Sequence, residues 1–294
     1  MKRVIALGFF DGVHVGHGAL LNKTKERAAE ISARPTVMSF DVHPDTLVFH
    51  VEVPLLSDPA GRREIIRRCF DIEEVVFIHF SRSVMEMPWK EFADTVIAEM
   101  DAAWLVCGYD FTFGRRGEGT AEKLKAYCEE RGIGCDIISA VTVDGSTVSS
   151  TLIRELVAAG KMEKAAALLG HPHCINGVVR SGYHIGQKDE SSIIHMLLPT
   201  GVIAPRFGVY ATKVVLEDGI EHYAVTNVGV RPTFGEGNPV TVESHLLDGE
   251  DNLFEVPARV DFYAFLRDET KFESEAELDA QIQKDINRTK EYFA

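Results

Sequence analysis

The sequence lacks any run of about 18 apolar residues, the length that a membrane-spanning helix needs, and therefore predicts that no segment spans a membrane. Positive charge is scarce as well. The 31 Lys and Arg residues against 45 Asp and Glu residues give a net charge of −14 at pH 7. Because nucleic-acid binding needs many cations that neutralise phosphates, this balance argues against a nucleic-acid-binding protein. It still allows a small anionic ligand in a local basic or amide-lined pocket.

Paired cysteines are also missing. The five cysteines stand apart without a Cys-x-x-Cys pair, and an odd number cannot all pair within one chain. This usage favours the reducing cytoplasm. Residues 1–14 superficially resemble a signal peptide, but their apolar run is short and reaches Asp11-Gly12 without a small-residue cleavage site. We therefore expect the first buried strand there.

Length and composition indicate a globular protein with two domains. At about 150 residues per domain, a chain of 294 residues predicts two domains. Hydrophobic residues make up 45% and charged residues 26%, as in ordinary globular proteins. We place the domains at residues 1–169 and 170–294.

The two parts differ in their patterns. Residues 1–169 alternate short apolar runs with helical patterns, which predicts an α/β domain with a doubly wound parallel sheet. After residue 170 the runs alternate with period two between Gly, Asp, Asn and Pro residues, as in 208–215 and 221–225. Residues 274–293 form one charged amphipathic pattern. The second part is therefore predicted to be a small antiparallel β-barrel or sandwich closed by a C-terminal helix.

The segment with the most chemistry runs GFFDGVHVGH from Gly8 to His17, between the first strand and the first helix. Ligands of open α/β sheets bind at the carboxyl ends of strands. A glycine-rich loop there lets backbone amides approach a phosphate, and the helix adds its positive end. His14 and His17 can donate to a transferring phosphoryl oxygen. They also resemble a metal pair, although no carboxylate or cysteine ligand set accompanies them.

This segment resembles a known family. HVGH after a first strand resembles the HxGH signature of the nucleotidylyltransferase superfamily, and GFFDGVHVGH resembles the prokaryotic FAD synthetases, which are bifunctional riboflavin kinase/FMN adenylyltransferases. Ser39–Pro44 resembles their F-x-P-H-P loop, with Asp41 and Val42 between its phenylalanine and histidine. Gly108–Gly114 resembles their G-x-D/N-F-x-F-G motif, and Ser149–Arg154 resembles S-S-T-x-I-R.

The resemblance implies the reaction FMN + ATP → FAD + pyrophosphate, with Mg²⁺ accompanying ATP. The FMN phosphate is already an anion at pH 7, so no general base is needed. The catalytic residues that the family implies are His14, His17 and Arg154. The residues implied to bind ATP or FMN are Gly8, Phe9, Phe10, Asp11, Gly16, His43, Asp110, Phe111, Ser149, Ser150 and Thr151.

Plainer interpretations of some of these residues remain open. Residues 149–151 can be a helix cap, with Arg154 a surface charge. His43 precedes a proline and can be a turn residue. Phe111 and Phe113 can either form a wall of the flavin site or simply pack in the core.

The second part resembles the flavokinase module of the same family, a small barrel. Glu243 falls where that family has its catalytic base, although an alternating strand often carries one exposed glutamate. The matching segments are 177–179, 208–211, 227–234, 243–248, 266–272 and 281–282.

One stretch departs from this resemblance. The family carries G-R-x-x-G-F-P-T-A-N, whose threonine and asparagine hold Mg²⁺ and ATP phosphates, whereas residues 186–195 read GQKDESSIIH. Ile193 replaces the threonine and has no oxygen for a hard cation, and Glu190 would repel phosphates. Riboflavin kinase activity is therefore predicted to be absent or weak. His184 and His195 can belong to a changed site or be structural.

The leading hypothesis is a cytoplasmic FMN adenylyltransferase with a degenerate kinase domain. Its small-molecule partners would be ATP, FMN and FAD, and riboflavin only if the second domain binds it. The alternatives are a fully bifunctional enzyme and a flavin-binding regulatory or carrier protein without catalysis. Transfer to another phosphate, such as pantetheine phosphate, is disfavoured by the later motifs and the appended barrel.

Overall fold

The computed structural model describes residues 1–180, 193–230, 239–248 and 255–294. The chain forms two compact units, Met1–Ser150 and Thr151–Ala294. The domain boundary that we place after residue 169 stays a prediction.

The first unit is built on five parallel strands. They are β1 (Arg3–Leu7), β2 (Arg34–Phe40), β3 (Glu74–Ile78), β4 (Ala102–Gly108) and, after two short strands, β7 (Gly134–Ile138). The order in the sheet is β3-β2-β1-β4-β7. The strand order therefore reverses between β1 and β4, because the chain moves outward to one side first and then to the other.

Helices cover the sheet, and two small hairpins accompany it. The helices are α1 (Val15–Glu30), α2 (Pro44–Val48), α3 (Pro59–Phe70), α4 (Arg82–Glu86), α5 (Trp89–Glu99) and α6 (Ala121–Glu129). The hairpins pair β5 (Thr112–Phe113) with β6 (Gly119–Thr120), and β8 (Thr142–Val143) with β9 (Ser146–Thr147). Single 3₁₀ turns occupy Asp11–Val13 and Arg115–Gly117.

The apolar strands explain this architecture. Val4, Ile5, Ala6 and Leu7 of β1 are all buried, so both faces of the strand need a cover. Helix α1 packs on β1, while Ile5 and Leu7 belong to a hydrophobic cluster that includes Phe92 of α5 and residues of α6. This confirms the predicted α/β domain with a doubly wound parallel sheet.

The second unit is an antiparallel barrel. Helices α7 (Ser150–Ala158) and α8 (Met162–Leu169) are followed by β10 (His173–Val178), β11 (Ile193–Leu197), β12 (Gly208–Leu216), β13 (Glu221–Val230), β14 (Val240–Leu246), β15 (Pro257–Arg267) and α9 (Glu275–Phe293). The strand order is β10-β15-β12-β13-β14-β11. The amide of Arg180 donates to the carbonyl of His195 at 2.8 Å and bridges the two edges. This confirms the predicted small antiparallel barrel with a C-terminal helix.

Candidate active site

A cavity of about 360 Å³ lies in the first unit at the carboxyl ends of β1 and β4. This is where the strand order reverses, and open α/β sheets bind their ligands at such a point. Segments after β1, β4 and β7 line the cavity together with the start of α1. The lining residues are Leu7–Phe9, His14, Gly16, His17, Leu20, Phe40, Pro44, Gly108–Thr112, Ile138–Val141 and Thr147–Ser150.

The cavity brings together nine of the residues that the sequence analysis selects. They are Gly8, Phe9, His14, Gly16, His17, Asp110, Phe111, Ser149 and Ser150. Thr151 and Arg154 lie on α7 and belong to the second unit, so their proposed roles remain predictions.

His14 and His17 form a stacked pair at the start of α1. Their ring centroids are 3.6 Å apart and the ring planes differ by 10°. Nδ1 of His14 accepts a hydrogen bond from the amide of His17 at 3.2 Å and so caps the helix. This bond leaves the His14 proton on Nε2. Gly16 suits this geometry because a Cβ atom there would lie 3.0 Å from Cε1 of His14.

The site keeps both histidines neutral at pH 7. Burial lowers the pKa of His14 to about 4. Burial also lowers the pKa of His17 well below its usual value, and electrostatic interaction with His14 and Arg62 acts in the same direction. Two neutral imidazoles can donate hydrogen bonds to phosphoryl oxygens without carrying a full charge.

Phe10 and Asp11 are not among the described residues that line the cavity, and their roles towards a ligand stay predictions. Oδ1 of Asp11 accepts from the amides of Leu56 at 2.8 Å and Ser57 at 3.2 Å. Phe10 is fully buried and has a left-handed backbone with φ of 58°. Asp11 thus holds the loop after β1 against the segment before α3, a role that the sequence pattern did not indicate.

Ser150 also supports this loop. Its hydroxyl donates to the carbonyl of Asp11 at 3.0 Å, at the first residue of α7. The hydroxyl that the S-S-T resemblance assigns to a ligand therefore already has a partner in the loop. Ser149 next to it is half-buried on the cavity wall.

The aromatic residues after β4 divide between cavity and core. Phe111 lines the cavity and stacks on Phe113, with ring centroids 5.3 Å apart. Phe113 is buried and packs against Trp89 and Phe92. The two interpretations left open for these rings therefore apply to one ring each. Phe113 packs in the core, and Phe111 forms part of the cavity wall.

His43 acts as a cap and also touches the site. Nδ1 of His43 accepts from the amide of Asp45 at 3.2 Å at the start of α2. Its ring meets the ring of Phe9 edge-on, with centroids 4.6 Å apart. Phe9 lines the cavity, so His43 borders the site through this ring.

Arg62 on α3 is a site residue that sequence reasoning missed. Its side chain is fully buried, and Nη1 donates to the carbonyl of Phe9 at 2.7 Å. A signal was present, because Ile65 and Ile66 follow at helical spacing and share its buried face. Arg63, the next residue, is exposed.

In the barrel, Glu243 lies on β14 directly opposite His195 on β11. Oε1 of Glu243 accepts from the hydroxyl of Thr241 at 3.2 Å and lies 3.8 Å from Nδ1 of His195. Ile194 points into the core, while Ile193 and His195 are half-buried. Residues 186–192 of the divergent stretch, and His184, lie outside the described residues.

Comparison with known proteins gives matches to both parts. A FAD synthetase family model matches residues 1–152, and a riboflavin kinase family model matches residues 169–293. The chain belongs to the FAD synthetase family. This confirms the predicted class of enzyme, an FMN adenylyltransferase, for which FMN is the substrate and FAD the product.

Relatives of this FAD synthetase homologue match over almost the whole chain. The bifunctional riboflavin kinase/FMN adenylyltransferases of Listeria monocytogenes and Bacillus subtilis are 28% and 30% identical, over 100% of this chain and 93% of each relative. A crystal structure described as a macrolide-efflux protein from Streptococcus pneumoniae has a TM-score of 0.82 at 28% identity. That match covers 98% of this chain and 94% of the other.

Neither a membrane-spanning helix nor a cluster of metal ligands occurs among the described residues of this FAD synthetase homologue. Within the described ranges, no helix combines the length and apolar character needed to cross a bilayer. The same ranges contain no group of three or more His, Cys, Asp or Glu residues that could hold a metal ion.

The low pKa of His14 in the FAD synthetase site predicts a pH effect on stability. Between about pH 6.5 and pH 4 the unfolded chain protonates this histidine and the folded chain does not. Because the unfolded state then binds more protons, the free energy of unfolding should fall as the pH drops through this window. Urea unfolding at four pH values across it measures the slope.

His14→Gln provides the comparison because glutamine does not titrate. The slope of stability against pH should be shallower in this variant than in the unchanged chain. An NMR titration of His14 gives its pKa directly. A midpoint near 6.5 would contradict the prediction.

Proposed function

We propose that this chain transfers the adenylyl group of ATP to FMN, releasing pyrophosphate, at the cavity beside β1 and β4. We propose also that its riboflavin kinase activity is absent or weak. The stacked pair of neutral His14 and His17, at the point where the strand order reverses, carries the first proposal. The sequence of the divergent stretch carries the second.

The proposed chemistry is a single displacement at phosphorus. An oxygen of the FMN phosphate attacks the α-phosphorus of ATP. The bond from that phosphorus to the oxygen bridging to the β-phosphorus breaks, and pyrophosphate leaves. The acceptor is already an anion, so the protein supplies alignment and stabilisation of charge rather than a base.

Each part of the proposed site has a role in that step. The Nε2 proton of His14 and the ring N–H of His17 would donate to oxygens of the triphosphate as negative charge grows on them. The amides after β1 and the start of α1 would hold the phosphates. Phe111 would form a wall of the flavin site and Asp110 would help to place one of the ligands, as the family resemblance implies. Arg154 would neutralise phosphate charge.

The loss of kinase activity is supported by chemistry at residues 186–195. A family member needs oxygen ligands for Mg²⁺ and an open approach for phosphates, whereas this chain has Ile193 and Glu190 at those positions. His195, opposite Glu243, stands where the family has asparagine. A base without a site for MgATP cannot phosphorylate riboflavin.

A cytoplasmic location completes the proposal. Among the described residues, no disulfide bond joins any of the five cysteines, which are Cys69, Cys107, Cys128, Cys135 and Cys174. Disulfide bonds are rare in the cytoplasm and common in oxidising compartments. This cysteine usage supports a reducing environment.

A paired assay tests the proposed function. The purified chain receives MgATP with FMN in one tube and with riboflavin in the other, and chromatography follows both flavins. We expect FAD from FMN, with riboflavin left unchanged. Adenylyl transfer to FMN should run, and phosphorylation of riboflavin, which needs a second MgATP site, should not.

Glu243→Gln separates this chain's own activity from a contaminating kinase. Riboflavin consumption that disappears in the variant would make the chain fully bifunctional, as its relatives' names describe, and would disprove the kinase proposal. No product in either tube would favour a flavin-binding protein without catalysis. Adenylylation of pantetheine phosphate instead of FMN would overturn the choice of acceptor.

A further inference from the structure

Arg62 ties two strand ends together under the candidate site. Nη1 donates to the carbonyl of Phe9 at 2.7 Å, to the hydroxyl of Ser39 at 2.9 Å and to the carbonyl of Phe40 at 3.0 Å. The Ser39 hydroxyl itself donates to the carbonyl of Phe9 at 2.7 Å. One buried guanidinium therefore joins the loop after β1 to the end of β2.

Through these contacts the Phe9 carbonyl accepts a hydrogen bond from a positively charged group. A carbonyl oxygen carries partial negative charge and would repel a phosphate that approached it. Phe9 lines the cavity, and the guanidinium lies 4.1 Å from the centre of its ring. The cation thus sits directly behind one residue of the cavity wall.

Within the part of the chain that the structure describes, Arg62 forms no ion pair with a carboxylate. Its hydrogen bonds within the described ranges all go to neutral oxygens, and Asp11, Asp41 and Asp58 act on it only through space. Burial lowers its pKa to about 10, so the side chain is still a cation at pH 7. Burying a charge without an ion pair costs free energy of folding. A buried arginine at this position therefore needs a functional or structural explanation.

The negative charges of the substrates offer an explanation for this buried cation. A positive charge in a poorly solvated position acts over a longer distance than one in water. ATP and FMN bring several negative charges to the neighbouring cavity. The same positive charge adds to burial in disfavouring protonation of His17.

We propose that Arg62 is a positioning residue of adenylyl transfer. It fixes the loop after β1 and supplies positive electrostatic potential to the phosphates of ATP and FMN at the cavity. The proposal rests on the adenylyl-transfer site described above. Arg62 does not touch the reacting atoms in this account. It acts through Phe9 and through the electrostatic potential at His17.

The test compares Arg62→Lys, Arg62→Met and Arg63→Met in the full chain. Arg63 is the matched control because it lies on the same helix, has the same charge and is exposed. We expect Arg62→Met to lower kcat for FAD formation by at least about tenfold with a smaller change in KM, because potential and alignment act mainly in the transition state. Arg63→Met should stay within about twofold of the unchanged chain.

Arg62→Lys separates charge from geometry. Lysine keeps the positive charge but cannot reproduce the planar guanidinium donors. We therefore expect Arg62→Lys to have a kcat between those of the unchanged chain and Arg62→Met. The pKa of His17, measured by NMR, should be unchanged in Arg62→Lys. In Arg62→Met the pKa of His17 should rise, a change that a purely structural role would not produce.

The possible outcomes are distinct. If Arg62→Met does not fold, Arg62→Lys tests the proposal in its place. A kcat of Arg62→Lys equal to that of the unchanged chain would then overturn the positioning role. Unchanged kcat and an unchanged His17 pKa in a folded Arg62→Met variant would also overturn the proposal. If the unchanged chain forms no FAD, the proposed function fails instead, and the His17 titration still tests whether Arg62 sets the potential at the site.

Discussion

Replacing His17 by alanine is expected to lower FAD formation from FMN and ATP at least about 10²-fold, since the variant loses a donor that acts on the transition state. The effect should fall on kcat. His17 stands at the wall of the cavity, its ring stacks on His14, and its pKa lies well below the usual value. Because the imidazole is neutral, removing it takes away a directed hydrogen bond rather than a charge that holds ATP in its ground state. Steady-state kinetics with each substrate varied in turn gives both constants.

Controls separate this role from a loss of structure. His222→Ala removes a histidine from β13 of the barrel, and its activity should stay within about twofold of the unchanged chain. Circular dichroism checks that His17→Ala is folded. FMN affinity, measured by flavin fluorescence, should survive the substitution. If His17→Ala keeps both full activity and flavin affinity, the assigned role of this donor is wrong.

The architecture was predictable because its signals are local. Strands such as β1 and β4 are short apolar runs buried on both faces, and such runs alternating with amphipathic helices specify a parallel sheet. The period-two pattern of β12 and β13 marks half-buried antiparallel strands in the same way. The short hairpin of β8 and β9 was missed because two residues per strand show no periodicity.

The candidate site was predictable in its histidines and less so in its supports. His14 and His17 lie one helical turn apart, so sequence spacing alone brings them together. Asp11 meets the amides of Leu56 and Ser57, and Arg62 meets the carbonyl of Phe9, across 45 or more positions of the chain. Contacts between such distant positions depend on the tertiary fold, and one sequence shows no pattern for them. The partners of these groups therefore become visible only in the structure, although the helical spacing of Ile65 and Ile66 already indicates that Arg62 is buried.

Replacing Arg267 by methionine is expected to destabilise the barrel by about 3–5 kcal/mol, because it leaves a buried carboxylate without its partner. Arg267 ends β15, and its Nη2 lies 2.8 Å from Oδ2 of Asp285 on α9. The side chain of Asp285 is 1% exposed, whereas that of Arg267 is 20% exposed. Gln281 donates to Oδ1 of Asp285 at 2.9 Å, but an amide cannot balance the charge. Hydrogen exchange of the β15 and α9 amides, followed by mass spectrometry, measures the loss in the barrel itself.

The unequal burial of the two partners predicts unequal costs. Asp285→Leu should destabilise less than Arg267→Met, because the remaining guanidinium can reach water and keeps its bond to the carbonyl of Asp268 at 3.0 Å. The double variant with both substitutions should be more stable than Arg267→Met alone, since it no longer buries an unpaired charge. Asp279→Leu, at an exposed position of the same helix, serves as the control for adding leucine to α9. Equal losses in the two single variants would mean that packing of α9, rather than the buried charge, holds the helix on the barrel.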